Sequence, residues 1–142
     1  LPLHWLIGVQ VYRVLGIVFL VGWLDNEIPT ALGPITAFND VFVGVTATPV
    51  ALLVLRGGSE RTAQLWNIFG LLDFAYAITV GVMAAPHALQ LLDLSPDSSA
   101  LGSMPLSFIV LWAVPLSIFL HVATLTRLRE AAGSTAVQPA HA

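Results

Sequence analysis

The chain has 142 residues, of which 57% are hydrophobic and only 9% are Asp, Glu, Lys or Arg. Soluble domains are about 25% charged, so this composition argues against a soluble fold and matches lipid as the solvent. Five basic residues provide no footprint for nucleic acid. Because there is no cysteine, disulfides, iron–sulfur ligation and thiolate catalysis are excluded.

Four apolar stretches are each long enough to cross a bilayer, which takes roughly 20 helical residues. We place them at residues 4–24, 35–55, 65–85 and 105–125, within a single domain of residues 1–130. Their short connections favour an all-α, antiparallel up-down bundle of four transmembrane helices. The small, uncharged residues of 131–142 predict a disordered cytoplasmic tail. Pro49 and Pro115 predict kinks in the second and fourth spans, since each removes a backbone donor.

Basic residues near the span ends predict the orientation. Arg56 and Arg61 flank the second connection, and Arg127 and Arg129 follow the fourth span. The first and third connections contain neither Lys nor Arg. By the positive-inside rule, the second connection and both termini are predicted to face the cytoplasm.

Each span carries small and polar residues every three or four positions, a spacing that puts them on one side of a helix. In a bilayer such sides face neighbouring helices rather than lipid. The polar members lie at similar depths and predict one buried polar cluster of Arg13, Asp73, His121, Gln10 and Asn67. We expect an Arg13–Asp73 ion pair at its centre, because either charge alone would be strongly unfavourable inside the bilayer.

These polar residues leave several roles open. The cluster fits a buried ion pair that fixes helix register, or a functional site on a pathway. Asp40, near the outer end of the second span, is either a helix N-terminal charge or an outer entrance for a cation or proton. His121, with Ser117 one turn earlier, is a packing residue, a proton-handling group or an axial ligand of a haem or chlorin.

No catalytic set is apparent. The sequence lacks a phosphate-binding glycine loop, a clustered His/Glu metal set and a nucleophile elbow, so we nominate no catalytic or metal-binding residue and favour a non-enzymatic role. The first hypothesis is a structural or accessory subunit of a larger membrane assembly, whose partners are the lipid bilayer and other membrane-protein subunits. The second is a small transporter or proton/ion conduit centred on Asp73, Arg13 and His121. The third is a tetrapyrrole-binding membrane protein that uses His121; otherwise no cofactor is expected.

Several stretches of the chain form a recognisable pattern: Trp66-Asn67-Ile68-Phe69-Gly70-Leu71-Leu72-Asp73 with Gly81, Gln10-Val11-Tyr12-Arg13, Asn39-Asp40 with Gly44 and Ala47, and Pro115 with Leu120-His121. In these stretches, from Gln10 to Arg129, the chain resembles a family of small, uncharacterised bacterial four-helix integral membrane proteins. The resemblance implies four spans and a bacterial origin, but no activity. We expect a location in the bacterial inner (plasma) membrane.

Overall fold

The computed structural model describes residues 1–88 and 90–136. This part of the chain is all-α, with no strand and four long helices: α1 (Leu3–Leu24), α2 (Gly33–Leu55), α3 (Glu60–Ala84) and α4 (106–136). All four are long and apolar enough to cross a membrane. Helix α4 runs through Ala136, so residues 131–136 are helical, whereas the sequence placed the start of a tail there. The rest of that predicted tail, 137–142, lies outside the described residues.

Local signals fix the turn between α2 and α3. Gly57 follows the last turn of α2 with a φ of 71°, the left-handed conformation that glycine adopts at a helix end without strain. The Ser59 hydroxyl then accepts a hydrogen bond from the Thr62 N–H at 3.4 Å and caps α3. Glu60 lies in the first turn, where a negative charge is favourable. The turn therefore ends one helix and starts the next within a few residues.

Helix α1 changes geometry along its length. Val9–Gly16 forms a 3₁₀ helix between two α-helical segments, Leu3–Gly8 and Ile17–Leu24. A 3₁₀ helix has three residues per turn, so side chains at positions i and i+3 lie directly above one another. Gln10, Arg13 and Gly16 are the buried residues of this segment. The 3₁₀ geometry therefore aligns the polar residues of α1 in one straight row that faces the bundle.

Helix α4 also departs from α geometry. A π-helical segment, Ile109–Ala113, follows the first turn Leu106–Phe108 and precedes the long α-helix that starts at Val114. Pro115 lies directly after this segment, and it offers no N–H to the carbonyl of Leu111. None of the residues in Ile109–Ala113 is buried. The first third of α4 is therefore irregular and loosely covered, where the sequence indicated only a break near Pro115.

Two apolar clusters lie toward opposite ends of the four helices. The first joins α1 through Ile7 and α4 through Leu128, and its other members come from α2 and α3: Val43, Ala47, Val50, Ala51, Ala63 and Trp66. The second surrounds Phe19 and includes Ile28, Leu32, Ala37 and Leu106. Between the two clusters, every helix contributes at least one buried polar side chain. The polar residues are therefore enclosed along the bundle by apolar layers on both sides.

Glycine lets α1 and α2 approach closely at the level of the polar residues. A Cβ atom on Gly44 would lie 2.5 Å from the backbone nitrogen of Val14, and a Cβ atom on Gly16 would overlap the side chain of Asp40. Small residues at such positions allow helix backbones to come into direct contact in apolar surroundings. This close approach brings Asp40 of α2 to the row of polar residues on α1.

Candidate functional site

Arg13 is the centre of the buried polar cluster. Its Nε donates to Asp40 Oδ1 at 2.7 Å, and its Nη2 lies 2.6 Å from the same oxygen. Nη2 also donates to Asp73 Oδ2 at 2.5 Å. The guanidinium carbon lies 4.1 Å from the ring centroid of Phe74, a cation–π arrangement. One arginine on α1 thus holds a carboxylate of α2, and a carboxylate and an aromatic face of α3.

His121 brings α4 into the same network. Arg13 Nη1 lies 3.1 Å from Nε2 of the imidazole. Because arginine only donates, Nε2 accepts, and the ring is the neutral tautomer with its proton on Nδ1. That proton is directed at Asn67 Oδ1, 2.8 Å away. Gln10 Nε2 lies 3.2 Å from Nδ1, but an amide nitrogen cannot accept this proton, and the buried Gln10 Oε1 has no hydrogen-bond partner among the described residues. Both ring nitrogens are therefore engaged inside the cluster.

Asp73 and Asn67 are each held by a second contact. The Asn39 amide of α2 donates to Asp73 Oδ1 at 3.0 Å, so both oxygens of this carboxylate accept a hydrogen bond. Asn67 donates to the carbonyl of Ala63 one turn earlier on α3, at 2.7 Å. These contacts fix the orientation of the two side chains. Asp73 therefore has no unbonded oxygen.

Asp40 differs from Asp73 in this respect. Its Oδ1 accepts both contacts from Arg13, whereas its Oδ2 accepts no hydrogen bond from any described residue. One turn earlier on α2, the Oγ1 atom of Thr36 is buried and also lacks a partner among the described residues. Both residues are more than nine-tenths buried. Two unused oxygen atoms therefore lie one turn apart on the same side of α2.

The charges of the cluster do not balance. Asp40 and Asp73 are two carboxylates, Arg13 supplies one positive charge, and His121 is neutral because its Nε2 accepts from Arg13. With both carboxylates ionised, the described groups carry a net charge of −1. An uncompensated charge in an apolar interior is strongly unfavourable. The cluster therefore requires one further positive charge, either a proton or a bound cation.

Two clefts reach the cluster from either side of the irregular part of α4. The large cleft has a volume of about 980 Å³ and the small cleft about 530 Å³. Asp40, Phe74 and Val114 line both clefts, so the clefts meet at the cluster. The large cleft is lined by Thr36 near the cluster and by Ser98 and Ser99 of the connection between α3 and α4. The cluster is therefore reached from the α3–α4 connection and from the lateral faces of the bundle.

The opposite end of the cluster is closed. Ile7, Ala47, Ala63 and Leu128 all have no accessible surface, and they cover the side of Gln10, Asn67 and His121 that faces away from the clefts. Trp66 packs against His121 with ring centroids 5.3 Å apart and donates to Thr46 Oγ1 at 2.8 Å. A buried apolar layer thus separates the cluster from this end of the bundle.

The structure brings together the residues that the sequence grouped. Arg13, Asp73, His121, Gln10 and Asn67 are in contact, and the Arg13–Asp73 ion pair is present. Asp40 was predicted apart from them, as an outer entrance or a helix-end charge, and the structure places it on Arg13. The sequence analysis missed two further members, which are Asn39, a donor to Asp73, and Phe74, whose ring lies against Arg13. Of these, only Asn39, next to Asp40, carried a signal that could have been used.

Over residues 1–88 and 90–136, the protein is all-α, with four candidate membrane-spanning helices and a buried Arg–Asp–His cluster. It belongs to the family described as a domain of unknown function (DUF8737), whose model matches residues 2–129. No curated protein and no solved structure matches the chain. Among the described residues, no group of three or more His, Cys, Asp and Glu side chains is placed to hold a metal ion.

Proposed function

We propose that this protein is a small, multi-pass membrane transporter that binds a proton or a cation at Asp40, beside the Arg13–Asp73 pair. The proposal rests on one observation, the second carboxylate. A purely structural ion pair needs one carboxylate for Arg13, and Asp73 already supplies it with both oxygens bonded. Asp40 adds a negative charge that no described group balances, and it lies where two clefts meet. Ionisable residues of this kind inside membranes mark ion and substrate pathways.

The closed apolar layer gives the proposed transporter its mechanism. At the end of the bundle formed by Ile7, Ala63 and Leu128, all three side chains are fully buried, and neither of the two clefts is lined by any of them. Passage through the bundle therefore requires a second conformation in which this layer opens and the clefts close. The π-helical segment before Pro115 is the natural hinge, because its backbone bonds are already irregular.

The proposed membrane arrangement is an antiparallel up-down bundle in a bacterial inner membrane. Contacts between early α1 and late α4, through Ile7 and Leu128, support this order, as do contacts of α1 with late α2 through Ala51. The arginines of the α2–α3 turn and of the end of α4 favour cytoplasmic termini. In this orientation the α3–α4 connection and the mouth of the large cleft face outward.

Proton movement in liposomes tests the proposal. The full chain is reconstituted in phosphatidylcholine vesicles with a trapped pH-sensitive dye, and a potassium diffusion potential drives positive charge inward. We expect the lumen to acidify faster than in protein-free vesicles. Asp40→Asn should return the rate to the protein-free value, because an amide cannot carry the proton. Asp93→Asn is the matched control, since Asp93 is exposed in the α3–α4 connection, and its rate should equal that of the wild type.

Two results would overturn the transport proposal. One is a wild-type rate no higher than that of empty vesicles. The other is an Asp40→Asn rate equal to that of the wild type. Recovery of folded protein in the vesicles is measured for every variant, so a failure to reconstitute is not read as a loss of transport.

The second candidate function is a structural or accessory subunit in a larger membrane assembly. It is supported by the outer surface, on which large apolar side chains are exposed on all four helices, among them Leu15, Phe38, Leu72, Leu111 and Phe119. Such a surface fits lipid or neighbouring helices. Purification in mild detergent should then retain partner subunits at fixed stoichiometry, and Asp73→Asn should leave this association intact. Recovery of the chain alone would contradict the role.

The tetrapyrrole hypothesis for His121 stays a prediction. Coordination of iron or magnesium would need one ring nitrogen, whereas Nε2 is bonded to Arg13 and Nδ1 to Asn67. A visible absorption spectrum of the purified protein tests it directly. A Soret band would support it.

A further inference from the structure

The large cleft has the size and lining of a small-molecule site. Its volume of about 980 Å³ lies at the upper end of the range for ligand cavities, about 300–1,000 Å³. Most of its wall is apolar, with the aromatic rings of Phe19, Phe74 and Phe119 and the aliphatic chains of Leu32 and Leu111. Such a wall favours a ligand with an apolar body.

At the end of this cleft that meets the cluster, two oxygen atoms without hydrogen-bond partners indicate the chemistry of the ligand's polar group. Thr36 Oγ1 is buried and has no hydrogen-bond partner among the described residues. The contacts of Asp40 with Arg13 both fall on Oδ1, so its Oδ2 accepts none from the described residues, and both Asp40 and Thr36 line the cleft. An ionised carboxylate only accepts hydrogen bonds, and a threonine hydroxyl can accept as well as donate. A ligand group that donates several hydrogen bonds would satisfy both atoms. A carboxylate or phosphate group would meet the negative charge of Asp40 and be repelled.

The net negative charge of the cluster indicates which kind of hydrogen-bond donor the ligand carries. A neutral hydroxyl group would leave the net charge of −1 in place, whereas a protonated amine would remove it. An ammonium group also has three N–H donors, enough for Asp40 Oδ2 and Thr36 Oγ1 together. We propose that the large cleft binds an amphipathic organic amine, with its ammonium group on Asp40 and Thr36 and its apolar body between α3 and α4. This inference rests on the proposed function, for which it names the class of cargo.

Binding of the amine exchanges one positive charge for another. Without ligand, a proton on Asp40 Oδ2 neutralises the cluster. When the ammonium group arrives, the Asp40 O–H bond breaks, the proton leaves to solvent, and the carboxylate pairs with the ammonium. No other bond is made or broken. The charged and titratable groups that interact with Asp40 are Arg13 and Tyr12 from α1 and Asp73 from α3, and His121 of α4 contacts Arg13. Since Arg13 and Asp73 stay paired and Tyr12 and His121 stay neutral, the exchanged proton belongs to Asp40.

Equilibrium binding of matched eight-carbon probes tests the inference. The full chain is placed in phosphatidylcholine nanodiscs, and radiolabelled octylamine is titrated against protein-free nanodiscs to subtract partition into lipid. Octanol and octanoate have the same chain with a neutral and a negative head. We expect saturable binding of one octylamine per chain, and no saturable binding of octanol or octanoate. In the range where the free site holds its proton, octylamine should bind up to about tenfold more tightly per unit rise in pH.

Two variants and one control locate the site. Asp40→Asn should weaken octylamine binding by about 10-fold to 100-fold, the effect of losing a charge-assisted hydrogen bond. Thr36→Val keeps the shape of the side chain and should weaken it about fivefold, through the loss of one neutral hydrogen bond. Asp93→Asn removes the same charge as Asp40→Asn from an exposed position and should bind as the wild type does. Elution as a single folded species by size exclusion is required of each variant.

The results separate this inference from the transport proposal. Octanol binding as tight as that of octylamine would overturn the inference, and so would a folded Thr36→Val variant with wild-type affinity. If Asp40→Asn does not fold, Thr36→Val and the pH dependence decide. Saturable octylamine binding without proton movement in vesicles would support the amine site and contradict transport of protons by themselves. Proton movement in vesicles without saturable octylamine binding would support transport and contradict the amine site.

Discussion

At one end of the bundle, Ile7, Ala63 and Leu128 close on one another without accessible surface, whereas at the other end none of the residues in Ile109–Ala113 is buried. The closed end is built from regular helices and small residues, which pack tightly. The open end combines a π-helical segment with Pro115, and two clefts lie beside it. Regular backbone therefore gives this protein its stable half, and interrupted backbone gives it internal space beside the charged groups.

Arg13 lies between the closed end and the open end, and its substitution should have the largest effect on stability. Arg13→Gln leaves two carboxylates without their positive partner, and loss of one member of a buried ion pair costs about 3–5 kcal/mol. We expect a decrease of this size in the free energy of unfolding, measured by SDS titration in mixed micelles. Arg61→Gln makes the same change at an exposed position of α3 and should leave stability unchanged. Equal losses for both variants would contradict a central role for Arg13.

The closed half can be tested at Gly70. A Cβ atom there would overlap the imidazole of His121 and lie 3.1 Å from Arg13 Nη1. Gly70→Ala should therefore overpack the site and lower the free energy of unfolding by about 1–3 kcal/mol, in the same SDS titration. Gly102→Ala is the control, since no atom lies within 4 Å of its added Cβ. A Gly70→Ala variant as stable as Gly102→Ala would mean that this half is less tightly packed than its burial indicates.

The smallest effect on stability is expected in the open half, for a substitution of Tyr12. Its hydroxyl group donates to the carbonyl oxygen of Ala113 at 3.1 Å and lies 2.5 Å from Ser117 Oγ, so it ties the irregular part of α4 to α1. Tyr12→Phe should cost about 1 kcal/mol, the net contribution of a typical hydrogen bond. A double-mutant cycle with Ser117→Ala measures the coupling between the two side chains. Additive effects in that cycle would show that the contact does not hold the segment in place.

The members of the cluster could be predicted because the position of a residue along a helix determines both the side on which it lies and its depth in the membrane. The sequence analysis did not group Asp40 with the cluster, for two physical reasons. Helix α2 starts at Gly33, so Asp40 lies about two turns into the helix and not one. The 3₁₀ segment of α1 also rises about 2.0 Å per residue, compared with about 1.5 Å in an α-helix, which moves Arg13 toward Asp40. Neither feature has a signature in the sequence pattern.

The clefts could not be predicted for a related reason. Pro115 indicated an interruption in α4, but a proline in a membrane helix is compatible with a kink or with local repair of the helix. The π-helical segment before it depends on the contact of Tyr12 with Ala113 and on the packing around Val114, which are tertiary interactions. The net charge of the cluster could not be predicted for the same reason. Asp40 contributes to it only through its contact with Arg13, which is also a tertiary interaction.

The 3₁₀ segment also has a consequence for how the protein fits its lipid. Helix α1 has 22 residues and α3 has 25, yet the steeper rise of eight residues gives both helices an axial length of about 37 Å. Helix α1 therefore spans the same thickness of hydrocarbon as α3 at the same tilt angle, although it has fewer residues. A change that turned Val9–Gly16 into ordinary α-helix would shorten α1 by about 4 Å and create a hydrophobic mismatch, which the surrounding bilayer would have to absorb by thinning.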